Sequence, residues 1–157
     1  MAYKLGLRLH ETFRIDTAIA RDALKRDVLT IRGKGGKVRE IPLVPAAREV
    51  LERRLSVTAR GEKLFVPPDM MTHIAMWDLE KFIRDHRNLV RDPNNPVALT
   101  YHGLRHSYAK NTYKRMIEQG RTPLEAHLCV SRLLGHERAD VTDIYLVGSM
   151  EGYDDLT

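Results

Sequence analysis

The chain is poor in several features that define other classes of protein. It has a single cysteine, Cys129, so it cannot form an internal disulfide, and a disulfide-stapled secreted fold is excluded. It has no run of about 18 apolar residues, which excludes a predicted membrane-spanning helix. Its start lacks the pattern of a signal peptide. These absences predict a cytoplasmic protein whose 157 residues are enough for one ordinary core.

What the chain does contain is an excess of positive charge. Lysine and arginine number 26 against 21 acidic residues, which gives a net charge of +5 and a sequence pI near 9.5. Part of this charge is grouped in two places, namely Arg32, Lys34, Lys37 and Arg39 around a glycine-rich turn, and His102, Arg105 and His106 further on. The net charge permits a nucleic-acid partner without proving one, and the two clusters favour a partner that carries phosphates.

The spacing of apolar residues predicts an α+β fold that is mostly helical, with a small antiparallel three-stranded sheet. Strands are predicted at residues 18–24, 28–32 and 38–43, with a short one at 64–66. Helices are predicted at residues 45–61, 72–90, 101–120 and 123–135, with a last short helix that Asp140 caps and that carries Tyr145. A loop is predicted at residues 92–96.

The glycine-rich turn lies between two β-rich runs and predicts a hairpin. Tight hairpin turns need positive φ at their central residues, which Gly35 and Gly36 can adopt. Lys34 and Lys37 flank the tip, and a narrow tip with lysines can enter a nucleic-acid groove. A phosphate-binding Walker loop is the rival interpretation, but Gly-Lys-Ser/Thr does not follow at the required spacing.

The segment after Thr100 predicts a helix start that could bind an anion. Thr100 is a suitable N-cap, and His102, Arg105 and His106 share a helix face by their spacing. Together with the helix dipole, they could receive a phosphate. The alternatives are an ordinary solvated face or a metal site, although the Glu of a His-Glu-x-x-His zinc helix is absent.

Five short motifs follow one another in a fixed order. They are Gly6-Leu7-Arg8, the lysine hairpin at Lys34, His102-x-x-Arg105, Leu134-Gly135-His136, and Tyr145 nine residues later. This order resembles the catalytic domain of the tyrosine recombinases, the phage-type integrases, over residues 5–146. Each motif alone is a weak signal, but the five in sequence are specific. The stretch between Arg105 and His136 is longer than the common pattern of the family.

The resemblance implies a set of catalytic residues, which are Arg8, Lys34, His102, Arg105, His136 and Tyr145. Glu11 matches the acidic residue that commonly follows the first arginine, and His106 is expected to support the site. Lys37 fits the hairpin lysine less well than Lys34 and is expected, with Arg32 and Arg39, to contact DNA. The resemblance further implies that Tyr145 attacks a DNA phosphodiester to form a 3′-phosphotyrosyl link, with no ATP, metal or other cofactor.

The resemblance also implies the organisation of the protein. Residues 1–147 would form a C-terminal catalytic domain and residues 148–157 a short tail. The N-terminal core-binding domain and leading helices of full-length relatives are not in this sequence, so the chain is expected to be a fragment with weak activity or none alone. The implied partner is double-stranded DNA, with self-association to a tetramer in the full-length protein. The implied location is the cytoplasm of a bacterium, at phage or nucleoid DNA.

Two other functions remain open from the sequence. A type IB topoisomerase shares the chemistry, but its relatives usually have lysine where this chain has His102. A DNA-binding module without activity belongs to another class of function. Supercoil relaxation without strand exchange would identify the first, and failure to cleave a nicked DNA substrate would identify the second.

Overall fold

A computed structural model describes residues 1–33, 36–90, 98–135 and 142 of the chain. The helices are α1 (Ala2–Leu5), α2 (Leu9–Thr12), α3 (Thr17–Arg26), α4 (Pro45–Leu55), α5 (Thr72–His86), α6 (Tyr101–Glu118) and α7 (Pro123–Leu134). The strands are β1 (Val28–Arg32) and β2 (Val38–Pro42), and a short 3-10 turn spans Arg87–Val90. Among these elements, no helix combines the length and the apolar character needed to cross a membrane.

The predicted hairpin is confirmed. Strands β1 and β2 pair antiparallel, with Leu29 opposite Ile41 and Ile31 opposite Arg39. Because side chains alternate across a strand, Leu29, Ile31 and Ile41 all enter the core on one face of the hairpin. The predicted α+β class is therefore correct, but the described sheet has two strands rather than three.

The missing third strand is explained by residues 18–24, which form helix α3 and not a strand. Asp16 caps this helix, because its side chain accepts hydrogen bonds from the backbone nitrogens of Ala18 and Ile19 at 2.8 Å. Alanine is the strongest helix former, and Ala20 and Ala23 form the buried face of α3. The cap and the alanines therefore favour a helix here over the predicted strand.

Three other predicted boundaries were wrong. Helix α4 ends at Leu55 rather than at Gly61, because the hydroxyls of Ser56 and Thr58 donate to the carbonyls of the last turn. Residues 64–66 form a turn, although neighbouring Lys63 makes an isolated bridge to Asp16. Helix α5 ends at His86 rather than at Val90, and the exposed His86 stacks on Phe82 with ring centroids 4.2 Å apart.

The predicted starts of α6 and α7 are confirmed. Thr100 accepts a hydrogen bond from the Gly103 nitrogen at 2.8 Å. Thr122 and Glu125 form a capping box at the start of α7, which ends at Gly135 in the left-handed conformation. The predicted loop at residues 92–96 and the last helix with Tyr145 lie outside the described residues.

Two groups of buried side chains form the interior. The N-terminal core contains Leu5, Leu7, Ile15, Ala20, Ala23, Leu29, Ile31, Ile41, Ala47, Leu51 and Leu64. The helical core, between α6 and α7, contains Tyr108, Ala109, Tyr113, Ala126, Val130 and Leu134. The two cores meet at Gly6, where an added Cβ would lie 2.5 Å from the Tyr108 ring and 3.2 Å from Leu134. Gly6 therefore allows the close approach on which this seam depends.

Candidate anion-binding site

Arg105 lies at the seam between the two cores. Its side chain is 1% exposed, although arginine is seldom fully buried. One terminal nitrogen donates to the carbonyl of Gly6, and the other donates to the carbonyl of Leu134 at 2.7 Å. A buried charge is tolerated only with such partners, so the first turns of α6 are tied to both neighbouring segments.

A second arginine reaches the same place from the N-terminal side. Arg8 precedes helix α2, and its side chain is about one-third exposed. Its Nη1 donates to Glu11 Oε1 at 3.1 Å, and its backbone nitrogen donates to Glu11 Oε2 at 2.7 Å. The carboxylate thus fixes both the start of α2 and the direction of the Arg8 side chain.

Glu11 is the centre of this arrangement. Its side chain is fully buried, and Arg105 Nη1 lies 3.9 Å from Oε2. Arg39, from β2, donates to both carboxylate oxygens, at 2.8 Å from Nη1 and 2.7 Å from Nη2. We refer to Arg8, Glu11, Arg39 and Arg105 as the arginine cluster.

The electrostatics of the arginine cluster keep Glu11 ionised. Burial by itself raises the pKa of a carboxyl group, but the hydrogen bonds from Arg39 and from the Arg8 backbone, with the two positive charges, lower the pKa of Glu11 to about 2. Three guanidiniums against one carboxylate leave a surplus of positive charge. Such a site favours an anion that approaches beside Arg8, its exposed member.

The two histidines of α6 lie beside the cluster. His102 is exposed, and its ring meets that of His106 edge-on with centroids 4.7 Å apart. Partial desolvation of the rings lowers the pKa of both imidazoles, and the charges of Arg105 and Arg8 lower that of His102 further. His102 is therefore biased toward the neutral form, which can accept a proton.

One hydrogen bond fixes the start of α6 against α2. The hydroxyls of Tyr101 and Thr12 are 2.6 Å apart, and Thr12 is buried directly after Glu11. Burial raises the pKa of Tyr101, so its hydroxyl keeps its proton. His102 and Arg105 are thereby held in register with Arg8 and Glu11.

The structure brings together only part of the predicted site. Arg8, Glu11, His102, Arg105 and His106 lie close to one another, as described above. Lys34, His136 and Tyr145 lie outside the described residues, so their predicted places stay predictions. Arg32 and Lys37 are exposed on the hairpin. Within residues 1–33, 36–90, 98–135 and 142, no group of three or more side chains is arranged to hold a metal ion.

Sequence reasoning missed the burial of Arg39 and its pairing with Glu11. We expected it to contact DNA, but its side chain is only 9% exposed, and both terminal nitrogens donate to Glu11. The signal was available in the alternation of β2, because Arg39 and Ile41 lie two residues apart and so share the inner face of the hairpin.

Comparisons with known proteins relate the chain to one protein family. The model of the phage integrase family matches residues 1–151. The tyrosine recombinase XerS of Lactococcus lactis is 30% identical over 150 residues, which cover 89% of this chain but 38% of that protein. The chain thus spans less than half the length of this relative.

Two solved structures share the fold. The XerA recombinase matches with a TM-score of 0.65 at 22% identity, over 91% of this chain and 49% of that one. The Tn1549 transposon integrase, solved in complex with circular intermediate DNA, matches with a TM-score of 0.65 at 16% identity, over 92% and 52%.

Proposed function

The chain belongs to the phage integrase family, and from that premise we propose that it cleaves and rejoins DNA as the catalytic domain of a site-specific tyrosine recombinase. The observation that carries the proposal is the arginine cluster, in which Arg8 and Arg105 approach one buried carboxylate from segments far apart in the chain. One solved structure that shares the fold is an integrase in complex with DNA, and double-stranded DNA is the partner we propose here.

The proposed chemistry is a phosphoryl transfer to Tyr145. The phenol oxygen of Tyr145 bonds to the phosphorus, the bond to the 5′-oxygen breaks, and a 3′-phosphotyrosyl link and a 5′-hydroxyl result. His102 takes the phenol proton, and Lys34 gives a proton to the leaving 5′-oxygen. Attack by the 5′-hydroxyl of a second strand reverses the step and exchanges the strands.

The arginines supply the electrostatic part of this proposal. Phosphoryl transfer depends mainly on positioning and on stabilising charge on the non-bridging oxygens, and guanidiniums offer planar, permanently charged donors for them. Arg105 is fixed by two backbone carbonyls, so its charge is in place before DNA arrives. His136 would donate a further hydrogen bond to the phosphate. The proposed step uses no metal, because the two guanidiniums supply the positive charge for the non-bridging oxygens, and no nucleotide, because the phosphotyrosyl link conserves the phosphodiester energy.

The remaining parts of the proposal concern organisation. We propose residues 1–147 as the catalytic domain and residues 148–157 as a tail, with Arg32 and Lys37 on the hairpin as contacts to the DNA backbone. The protein would act in the bacterial cytoplasm on phage or nucleoid DNA. As in the expectation from the resemblance, the full-length protein would assemble as a tetramer on its site.

The test is covalent capture on nicked DNA. The 157-residue chain is incubated with nicked duplexes whose central base pairs are randomised, so that the short leaving strand diffuses away and even slow cleavage accumulates product. We expect an adduct that survives denaturation, with the nucleotide mapped to Tyr145 by mass spectrometry. Tyr145→Phe should abolish the adduct, and Tyr153→Phe, the matched control, should retain it.

Each other outcome contradicts a defined part of the proposal. An adduct that persists in Tyr145→Phe, or that maps elsewhere, would refute the nucleophile. Salt-sensitive DNA binding without any adduct would identify the isolated chain as a DNA-binding module. Relaxation of supercoiled plasmid by an adduct-forming protein that exchanges no strands would identify a type IB topoisomerase.

A further inference from the structure

The role of Arg39 is not explained by DNA contact. It lies on the inner face of β2, two residues before the buried Ile41, where the neighbouring inward positions of the hairpin are Leu29 and Ile31. An apolar side chain at this position would continue the core. A charged side chain here needs a partner inside the protein, and that partner is Glu11.

The Arg39–Glu11 pair has the geometry of a clamp. Both terminal nitrogens of Arg39 donate to the two oxygens of one carboxylate, at 2.8 and 2.7 Å, which is the bidentate arrangement that only arginine offers. The carboxylate cannot rotate without breaking one of these bonds. Its orientation in turn sets the hydrogen bond to Arg8 Nη1 and the 3.9 Å approach of Arg105.

A second contact of Arg39 lies at the end of helix α7. Gly135 has a φ of +65°, and a Cβ there would be 2.9 Å from Arg39 Nη1 and 3.0 Å from its Cδ. The Arg39 side chain thus packs directly against the backbone of the residue that precedes His136. The glycine of the Leu134-Gly135-His136 motif is explained by this contact and by its left-handed backbone.

We propose that Arg39 is a positioning residue: by clamping Glu11 it orients Arg8 and Arg105, and by packing on Gly135 it holds the end of helix α7. This inference rests on the proposed function, because the two arginines are oriented to bind the DNA phosphate. Arg39 itself does not touch the reacting atoms. It connects the hairpin, α2 and the end of α7 at one point.

The charged and titratable groups that surround Glu11 define what a variant must change. They are Arg8, His10, Arg39, Tyr101 and Arg105. Among the influences that lower the pKa of Glu11, the hydrogen bonds from Arg39 are the largest, ahead of those from Arg8. Removing Arg39 should therefore raise the pKa of Glu11, because burial then acts against a weaker set of positive partners.

The experiment compares Arg39→Met and Arg39→Lys with Arg32→Ala, a variant of an exposed hairpin arginine. Arg39→Met should raise the pH of the acid-unfolding midpoint and slow adduct formation on nicked DNA by roughly 10- to 100-fold, as expected for misplaced catalytic groups. Arg39→Lys should recover part of both, because lysine keeps the charge but cannot make two parallel bonds. Arg32→Ala should weaken DNA binding and reduce its salt dependence without moving the acid midpoint.

A double-mutant cycle separates action through Glu11 from direct contact with DNA. Arg39→Met lowers the logarithm of the rate of adduct formation by a certain amount in the unchanged chain. In a Glu11→Gln background, the same substitution should lower it by less than half of that amount. Additive effects, or a loss of DNA binding in Arg39→Lys equal to that in Arg32→Ala, would overturn the proposal. If neither the unchanged chain nor any variant forms an adduct, the proposed cleavage of DNA by this chain fails, whereas an unmoved acid midpoint in the Arg39 variants would refute the clamp separately.

Discussion

The N-terminal core is built mainly from leucine and isoleucine, whereas the helical core is built from tyrosines, alanines, one valine and one leucine. The contacts between the two cores differ from those within either core. Gly6 allows a close approach, and Arg105 donates to backbone carbonyls on both sides. Each core is therefore held internally by apolar packing, whereas their junction also depends on a close backbone approach and on a buried, hydrogen-bonded charge.

This difference explains where the candidate site lies. Apolar packing tolerates many substitutions of similar volume, but a buried charge requires specific partners. The seam thus holds guanidiniums in fixed positions, which a site for a phosphate requires. Variants that change the seam should behave differently from variants within either core or on the surface.

The largest difference in the free energy of unfolding is expected between variants of Arg105 and of Arg8. Arg105→Ala removes a buried bridge between the cores and should lower the free energy of unfolding by about 3–5 kcal/mol. Arg8→Ala removes a partly exposed side chain and should lower it by about 1 kcal/mol or less. Urea unfolding measures both free energies. Equal losses would contradict the proposed role of Arg105 as a bridge between the two cores.

The glycine at the seam should be nearly as sensitive. Gly6→Ala forces a Cβ to within 2.5 Å of the Tyr108 ring at a φ of +63°, and should cost about 2–5 kcal/mol. Gly120 also has positive φ, at +82°, but an added Cβ there would meet no heavy atom within 4 Å. Gly120→Ala should therefore cost only about 1–2 kcal/mol. Thermal or urea unfolding of the two variants isolates the close approach from backbone strain.

The charge at the seam should give a defined dependence on pH. The pKa of Glu11 is lowered from 4.5 to about 2 in the folded protein. Its contribution is therefore present above pH 4.5 and is lost as the pH falls toward 2, amounting to roughly 3 kcal/mol in all. Glu11→Gln should remove this part of the acid limb in urea titrations, whereas the exposed Glu49→Gln should preserve it. If stability fell with acid in the same way in both variants, the lowered pKa of Glu11 would be contradicted.

The smallest expected effect concerns His102. Burial, then Arg105 and Arg8, lowers its pKa, so its NMR titration should fall below the usual value of about 6.5. Arg8→Gln should raise the midpoint without restoring the usual value, because burial is the larger cause. A midpoint that does not move would show that Arg8 does not act on the imidazole.

The parts that sequence reasoning predicted correctly depend on local signals. The starts of α6 and α7, after Thr100 and Thr122, and the two hairpin strands can be predicted from residues close together in the sequence. The structure confirms them. Helix α3 was missed because residues 18–24 were interpreted as a strand, although Asp16, directly before the helix, is a suitable N-cap. In the site, the nearness of Arg8 and Glu11 follows from their spacing.

The parts that were missed depend on distant residues. Arg39 and Glu11 are 28 positions apart, and no local pattern pairs them. The burial of Arg105 depends on the carbonyls of Gly6 and Leu134, which only the packing of the two cores brings together. Charge clusters in a sequence predict a surface, whereas here the packing placed two of the arginines inside.

The most direct test is a structure of the chain trapped on nicked DNA. We predict that Arg8 and Arg105 both donate to the phosphate linked to Tyr145, while Arg39 keeps its two bonds to Glu11. A phosphate held elsewhere, with the two arginines in contact with different groups of the DNA, would contradict the account.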